Sequence, residues 1–386
     1  MSEKMNISVI IPLYHGRKYI NHLREMIEAS FAYAREKISC TIEVILVNDD
    51  PGEALTKEEL SNWEVSVYYL QNSENMGIHA SRVNGLQKAK GQYVCFLDQD
   101  DWIAPEFFFS QYLNIGHADV VICNGIFRIN RQIIPNEDCA NRIIDKDSYF
   151  SSLSEIVSPG QALIRRNSIP KEWETYILKN NYCDDAFLWL LMKSKNEKFV
   201  VNSELLYQHN ESGTNASFNW NCTSAALKEM LEVIKRNHLM DQKLENMLTT
   251  CIHDKVKKHE AYAKLSKMME YAEANGELFK NYLTDMGVNS IALYGYGVIG
   301  KQFHSLCKFV DIEIKYSIDQ AVKSTNEMKI YDLHDALPDV DLIIITPIYE
   351  KKELISKIKE QLAIDVKGLD DIFQGFMKKL PRTNIG

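Results

Sequence analysis

The sequence of 386 residues predicts an α/β protein built on mostly parallel sheets, and three observations lead to that prediction. First, short apolar runs alternate with segments of helical periodicity, which is typical of a parallel sheet covered by helices. Second, two of these runs end in clustered carboxylates, and the ligands of such sheets bind at the carboxyl ends of the strands. Third, a strand–glycine–helix pattern begins near residue 288 and predicts a second, smaller α/β domain.

The elements of the first sheet follow from these local patterns in chain order. The run NISVII is apolar and stops at Pro12, which predicts a buried strand that ends there. Residues 17–37 have helical spacing, and residues 78–90 predict a helix that ends at Gly91. The predicted strands are residues 6–11, 41–50, 65–72, 93–101 and 118–129.

The rest of the chain divides into a helical segment and a small domain. Residues 221–287 show helical periodicity without a strand pattern and predict a helical connector. Residues 288–386 contain strand patterns around a glycine-rich turn and predict a Rossmann-like three-layer domain. The predicted organisation is a domain over residues 1–220, a connector over 221–287 and a second domain over 288–386.

Composition excludes some classes of protein. Hydrophobic residues make up 45% and charged residues 25% of the chain, which is ordinary for a globular protein with a core. The formal net charge of −9 argues against a general nucleic-acid binder. No apolar run reaches 18 residues, so we expect a cytoplasmic protein and leave open its attachment to the inner face of the cell membrane. The eight cysteines form no CxxC pair and are expected to be reduced thiols.

The stretch FLDQDDWI, residues 96–103, predicts a cation site at a strand tip. Asp98, Asp100 and Asp101 follow the apolar run YVCFL, while Asp49 and Asp50 end another strand. Carboxylates crowded at one edge of a sheet repel one another, and oxygen ligands suit a hard divalent ion, Mg²⁺ or Mn²⁺. The alternative is that each aspartate only forms a turn or caps a helix.

The order of the motifs IPLY, VNDD and NSENMGIHASRVNGLQKAKGQYVCFLDQDDWI resembles that of the family 2 nucleotide-diphospho-sugar glycosyltransferases, over about residues 5–215. The resemblance implies a GT-A fold for the first domain. It also implies an inverting enzyme that transfers a sugar from a metal-bound nucleotide sugar, with UDP as the nucleotide, to an acceptor hydroxyl in bacterial surface polysaccharide synthesis. The implied cofactor is Mn²⁺ or Mg²⁺.

The resemblance also implies residues on the donor side of the site. It implies base and ribose contacts from Pro12, Tyr14, Asp49, Asp50 and Asp98, a phosphate contact from Arg82, and metal ligation by Asp100, Asp98 and His209.

On the acceptor side, the motif CDDAFLWLLMKS supplies a candidate base. An inverting transfer needs a carboxylate that takes the proton of the acceptor hydroxyl. The resemblance implies that Asp185 is this base, while Asp184 either binds the acceptor or caps the helix that follows. The implied acceptor and sugar contacts are Asp101, Trp102, Gly160, Gln161 and Asp184.

The second domain carries a glycine loop, LYGYGVIGKQF. Gly295, Gly297 and Gly300 are spaced G-x-G-x-x-G between a predicted strand and a helix, and Asp319 ends the next predicted strand. This context is the one that dinucleotide binding requires. The alternatives are docking, oligomerisation or a vestigial site.

Three functions remain open at this point. The chain is a glycosyltransferase with an accessory domain, a nucleotide- or NAD-dependent sugar-modifying enzyme, or a non-catalytic scaffold for polysaccharide assembly. The expected partners are a nucleotide-sugar donor and a glycan or lipid-linked saccharide acceptor, with peripheral membrane association and a homo-oligomer left open.

Overall fold

The computed structural model describes residues 5–127, 131–153, 156–210, 219–320, 325, 327–349, 351–362 and 364–380. The chain divides into two compact units, Met1–Val256 and Lys257–Gly386, which we call the first and the second unit. The residues predicted as a connector are shared between them, because their helices pack on two separate apolar cores.

The first unit contains a mixed sheet in the order β3-β2-β1-β4-β8-β6-β9-β5, with β7 paired to β6. Strands β3, β2, β1 and β4 are mutually parallel, whereas β8 runs antiparallel to both β4 and β6. The strands are β1 (Met5–Leu13), β2 (Cys40–Asn48), β3 (Ser66–Gln71), β4 (Tyr93–Phe96), β5 (Trp102–Ile103), β6 (Val120–Phe127), β7 (Arg131–Gln132), β8 (Ala162–Arg165) and β9 (Phe199–Gln208).

Helices cover both faces of this sheet. Alternation along β4 explains why, since Val94 and Phe96 enter one apolar core while Tyr93 and Cys95 enter the other. Each face therefore needs its own helical layer. The helices are α1 (Ile20–Lys37), α2 (Lys57–Ser61), α3 (Ile78–Leu86), α4 (Phe107–Ile115), α5 (Glu137–Ile144), α6 (Lys146–Ser152), α7 (Lys171–Thr175), α8 (Asp184–Ser194), α9 (Trp220–Arg236) and α10 (Gln242–Ala274).

Several predicted element ends are wrong; the strand predicted over residues 93–101, for example, ends at Phe96, and its three acids lie beyond it. Strand β1 continues through Pro12 to Leu13; its pairing with β4 stops at Ile10, so Pro12 has only β2 as a neighbour and its missing N–H is tolerated. Helix α3 ends at Leu86 rather than at Gly91. Gly91 instead lies against β1, where an added Cβ would come within 2.6 Å of the Ser8 nitrogen.

The second unit is a five-stranded parallel sheet in the order β12-β11-β10-β13-β14. With the first strand in the centre, this is the order of a Rossmann-like half with added edge strands. Its strands are β10 (Ser290–Tyr294), β11 (Glu313–Ile318), β12 (Ile330–Tyr331), β13 (Leu342–Ile345) and β14 (Asp365–Gly368), and its helices after α10 are α11 (Gly276–Asp285), α12 (Val298–Phe309), α13 (Lys351–Gln361) and α14 (Leu369–Lys379).

The glycine loop joins β10 to α12, and its glycines have different surroundings. Gly295 has a φ of +96°, which favours glycine. A Cβ on Gly300 would lie 2.3 Å from the Gly295 carbonyl oxygen, so the helix can approach the loop only without a side chain. A Cβ on Gly297 would meet nothing within 4 Å.

The structure describes the state of the cysteines and the apolar character of the helices. All eight cysteines are unbridged. Among the described residues, no helix combines the length and the apolar character that a membrane span requires.

We predict that Gly300→Ala lowers the free energy of unfolding of the second unit by about 1–3 kcal/mol, because the new methyl group overlaps a backbone oxygen. The matched change Gly297→Ser places a favoured residue at the N-cap of α12 in open space, so we expect an effect within about 0.5 kcal/mol. Calorimetry of the full chain measures both, and equal effects would contradict the packing argument.

Candidate functional site

The carboxylate of Asp98 lies at the tip of the parallel strands, where β4 ends. Its Oδ1 pairs with Nη2 of Arg82 and its Oδ2 accepts a hydrogen bond from Ser158 Oγ at 3.1 Å. Ser158 begins the short helical turn before β8. The strand tip is thus joined to α3 on one side and to the loop before β8 on the other.

Arg82 links this strand tip to α8. Its Nη1 lies 2.6 Å from Asp184 Oδ2, and the residue is 2% exposed. Burial by itself lowers the pKa of Arg82, but the carboxylates of Asp184 and Asp98 outweigh it and raise the pKa above its ordinary value. Both terminal nitrogens are directed at carboxylates, so the contact with donor phosphates expected of Arg82 stays a prediction.

The two aspartates of α8 have different surroundings. The helix begins at Asp184 and its N-cap is Cys183, so the alternative that Asp184 caps the helix is wrong. Asp185 is half-buried, and its Oδ1 accepts a hydrogen bond from the Ala186 nitrogen at 2.8 Å. Burial and the charge of Asp184 raise the pKa of Asp185 to about 7, although Arg82 opposes them. A carboxyl with this pKa can accept a proton near neutral pH.

Asp100 has the properties of a metal ligand. The residue is half-buried, and burial, followed by the charges of Asp101 and Asp98, raises its pKa to about 6. Within the described ranges, no lysine or arginine forms an ion pair with it. Excess negative charge at a partly desolvated carboxylate favours a bound cation, and carboxylate oxygens suit Mg²⁺ or Mn²⁺. The residues therefore fit a divalent ion.

Asp101 is directed into the protein. It is fully buried, it accepts hydrogen bonds from the Tyr207 hydroxyl and the Asn210 nitrogen, and its Oδ1 lies 3.0 Å from His209 Nδ1. Burial raises its pKa more than these partners lower it. These contacts hold the residues at the end of β9 around Asp101, and the sugar contact expected of Asp101 stays a prediction.

His209, a predicted metal ligand, is held beside this carboxylate. Burial lowers the pKa of His209, but the hydrogen bond and charge of Asp101 outweigh burial and raise it overall. Its role toward a metal stays a prediction.

Asp49 holds the loop that precedes α3. Its Oδ1 accepts hydrogen bonds from Asn72 at 2.7 Å and from the Met76 nitrogen at 2.8 Å, and its Oδ2 accepts one from the Gly77 nitrogen at 2.8 Å. Gly77 has a φ of +86°, and the buried carboxylate supports this turn. Asp49 therefore orders this loop, and the nucleotide contact expected of Asp49 stays a prediction.

Asp50 lies closer to the surface loop that follows β1. Its Oδ2 lies 2.7 Å from His15 Nδ1, and its Oδ1 accepts a hydrogen bond from the Gly52 nitrogen at 2.9 Å. Donor atoms of His15, Asp50 and Glu53 lie within 4.8 Å of one another. Pro12 is half-buried nearby in β1.

Gln99 holds the loop at Tyr14, although Gln99 was not among the predicted site residues. The Tyr14 nitrogen donates to Gln99 Oε1 at 3.0 Å, and Gln99 Nε2 donates to the Tyr14 carbonyl at 3.0 Å. Tyr14 itself is 47% exposed, so its ring is accessible to a ligand. The local signal for Gln99 was its position between Asp98 and Asp100 in the strand-tip motif.

The predicted acceptor contacts lie in different settings. Gln161 is fully buried and donates to the Cys123 carbonyl at 2.9 Å, and the sugar contact expected of it stays a prediction. Gly160 is also buried, and an added Cβ would meet the Tyr207 ring at 2.8 Å. Trp102 is half-buried in β5, where it pairs with β9.

Two further residues near α8 were not predicted. Trp173 Nε1 donates to the carbonyl oxygen of Asp184 at 2.8 Å. His79 lies 3.0 Å from the Trp173 carbonyl, and its Nδ1 accepts a hydrogen bond from the Leu178 nitrogen at 2.9 Å. Nothing in the local sequence distinguishes these residues from ordinary core residues.

In the second unit, Gly295 and Gly297 lie in the turn between β10 and α12 at the carboxyl end of the sheet, and Gly300 lies in the first turn of α12. Asp319 follows β11, and its Oδ2 accepts a hydrogen bond from the Tyr296 nitrogen at 2.6 Å. The predicted acid therefore lies against the glycine loop, as the sequence spacing indicated.

Residues 8–171 match the family described as "Glycosyl transferase family 2". The chain is 29% identical over 161 residues to the glycosyltransferase GlyA of Streptococcus pneumoniae serotype 4, which covers 39% of this chain and 22% of GlyA. It is 26% identical over 283 residues to the minor teichoic acid biosynthesis protein GgaB of Bacillus subtilis, which covers 66% of this chain and 29% of GgaB. The chain thus spans under a third of either relative.

Among solved structures, the chain is similar to S. aureus TarS 1–349 in complex with UDP-GlcNAc, with 20% sequence identity and a TM-score of 0.43 over 64% of this chain and 72% of that one. The match over residues 8–171 includes the strand-tip aspartates and Arg82 of the site described above. The part of this chain that carries these residues, 8–171, thus matches glycosyl transferase family 2.

Proposed function

We propose that the first unit transfers a sugar from a nucleotide-diphosphate sugar to an acceptor hydroxyl with inversion of configuration. The donor that we propose is a UDP-sugar. One observation carries the proposal: Arg82 contacts both Asp98 at the strand tip and Asp184 beside Asp185. A donor-side acid and the first turn that carries the candidate base therefore lie within the reach of a single guanidinium.

Asp185 is the proposed general base. In an inverting transfer, a carboxylate takes the proton of the acceptor hydroxyl while the sugar leaves the diphosphate on the opposite face. The pKa of Asp185, about 7, lets the ionised form predominate above neutral pH while keeping a higher proton affinity than an exposed carboxylate. Its neighbours Asp184 and Arg82 hold the turn from which it acts.

Asp100 and Asp98, with His209, are the residues that would hold Mn²⁺ or Mg²⁺. A bound divalent ion supplies Lewis-acid stabilisation of the charge that develops on the departing diphosphate. The contacts with Arg82 and Ser158 fix the carboxylate oxygens of Asp98 at the strand tip. Tyr14 and Asp50 are proposed to contact the base and ribose.

The acceptor that we propose is a glycan or a lipid-linked saccharide of a bacterial surface polymer. Support comes from GgaB, whose name refers to teichoic acid biosynthesis. We propose that the reaction occurs on the cytoplasmic side of the membrane, where nucleotide sugars are available.

We predict that the rate of transfer rises with pH through about 7 and is constant above it, because protonated Asp185 cannot act as a base. The pKa is raised, so the inactive form lies on the acidic side, where the rate should fall about tenfold per pH unit. The measurement is the pH profile of kcat/KM with a donor that the protein turns over.

The same experiment includes Asp185→Asn, which should lower kcat by about 10²–10⁴-fold with little change in the donor KM. Glu172→Gln is the control, because it also removes one acid but lies on α7, where the acid pairs with Lys195. Equal activity in the two variants would exclude Asp185 as the base.

We predict that Asp100→Asn lowers metal-dependent transfer by at least about 100-fold, because one ligand of the ion is lost. In parallel, UDP with Mn²⁺ should raise the melting temperature of the unaltered protein, and less so for this variant. Asp147→Asn is the control, because Asp147 is a half-buried acid on α6 whose carboxylate pairs with Lys243. A melting temperature that no nucleoside diphosphate shifts, even with metal, would contradict the proposal.

One observation favours a second function, in the second unit: a Cβ on Gly297, at the start of α12, would meet nothing within 4 Å. We propose that a nucleotide binds there, with its phosphates at the helix N-terminus. Asp319 and the loop nitrogen of Tyr296 form the adjoining edge of this site.

Gly297→Val tests this, since the position has a φ of −73° and a side chain there should block a ligand without straining the fold. We predict that NADH or UDP, titrated without metal, binds the unaltered protein and binds this variant at least about tenfold more weakly. Asp100→Asn should leave this binding unchanged. Equal binding by Gly297→Val would exclude the glycine loop.

A further inference from the structure

One buried cation is surrounded by three acids near the start of α8. Arg82 contacts Asp98 and Asp184 directly, and the charge of Asp185 acts on it as well. A single guanidinium cannot neutralise three carboxylates. The cluster carries excess negative charge when all three are ionised, and Asp185 is the one of the three that has no ion-pair partner among the described residues.

Asp184 is fixed at both its side chain and its backbone. Its Oδ2 lies 2.6 Å from Arg82 Nη1, and its carbonyl oxygen accepts the Trp173 indole N–H at 2.8 Å. Trp173 is itself fully buried, with its ring centroid 4.7 Å from that of His79. The contacts come from α3 and α7, two elements other than the helix that Asp184 begins.

Helix α8 has no side-chain cap of its own. Cys183, at the N-cap, makes no side-chain capping hydrogen bond. The clamp on Asp184 therefore takes the place of a cap in ordering the first turn.

We propose that Asp184, held between Arg82 and Trp173, is a positioning residue that fixes the turn carrying Asp185 and keeps a negative charge beside the base. This inference rests on the proposed function, in which Asp185 is the general base. The acceptor contact that the sequence suggested for Asp184 stays a separate prediction.

The charge of Asp184 has a defined effect on Asp185. The charged and titratable groups that face Asp185 are Asp184 and Cys183 beside it, Arg82 on α3 and Asp98 at the end of β4. Negative neighbours raise a carboxyl pKa and positive neighbours lower it. Removing the charge of Asp184 leaves Arg82 less neutralised, so both changes lower the pKa of Asp185.

The test is the pH profile of kcat/KM for Asp184→Asn, which keeps the shape of the side chain but removes its charge. We expect the acidic limb to move down by about one pH unit, and kcat on the plateau to fall about tenfold, because the turn loses its ion pair. A merely structural residue would lower kcat without moving the limb. Asp147→Asn, remote on α6, should change neither quantity.

A folded Asp184→Asn variant with an unmoved limb overturns the proposal. Should this variant fail to fold, Trp173→Phe provides the second test, because it keeps a ring in the core and removes only the bond to the Asp184 carbonyl. We expect kcat to fall about tenfold with the donor KM and the limb unchanged. An unchanged kcat in Trp173→Phe overturns the positioning role.

Failure of the proposed function is distinguishable from failure of this inference. If the unaltered protein transfers no sugar, the proposed function fails, and a carbon-detected NMR titration of the Asp185 carboxyl still compares the unaltered protein with Asp184→Asn. A lower pKa in the variant supports the influence of Asp184 on its neighbour. An unchanged pKa overturns it.

Discussion

The buried guanidinium of Arg82 is the interaction on which the candidate site depends. It joins α3 to the tip of β4 through Asp98 and to α8 through Asp184, three elements that are distant in sequence. Removing one partner of such a buried pair leaves an uncompensated charge, which is far more costly than the pair is stabilising. The site is consequently a single electrostatic unit in which a change at the donor side is felt at the proposed base.

The acids at the carboxyl ends of the strands have separate tasks. Asp49 and Asp101 accept several hydrogen bonds from the protein and organise the loops around the strand tips. Asp100 and Asp185 keep raised pKa values because burial and like charges disfavour their ionised forms. The protein does not neutralise the negative charge of these two carboxylates. Such a charge favours the binding of a metal ion or the acceptance of a proton.

In the second unit, as in the first, we expect a ligand to bind at the carboxyl ends of the parallel strands, but the expected ligand is different. Its parallel strands also present their carboxyl ends to one edge, but that edge carries a glycine loop instead of clustered acids. Close packing of Gly300 on Gly295 brings α12 against the loop, while Gly297 stays open. An edge rich in N–H groups suits an anion, whereas the edge of the first unit suits a cation.

The sequence by itself determined the α/β class, the parallel strands and the strand-tip acids, because short apolar runs, helical periodicity and the residues that end strands are local properties. It also located the glycine loop and Asp319. Only the tertiary structure decided which acids are structural, since the partners of Asp101 and Asp184 come from segments about 100 residues away in the chain. It likewise decided the antiparallel β8 and the clamp from Trp173, because long-range pairing and burial leave no periodic signal in one chain.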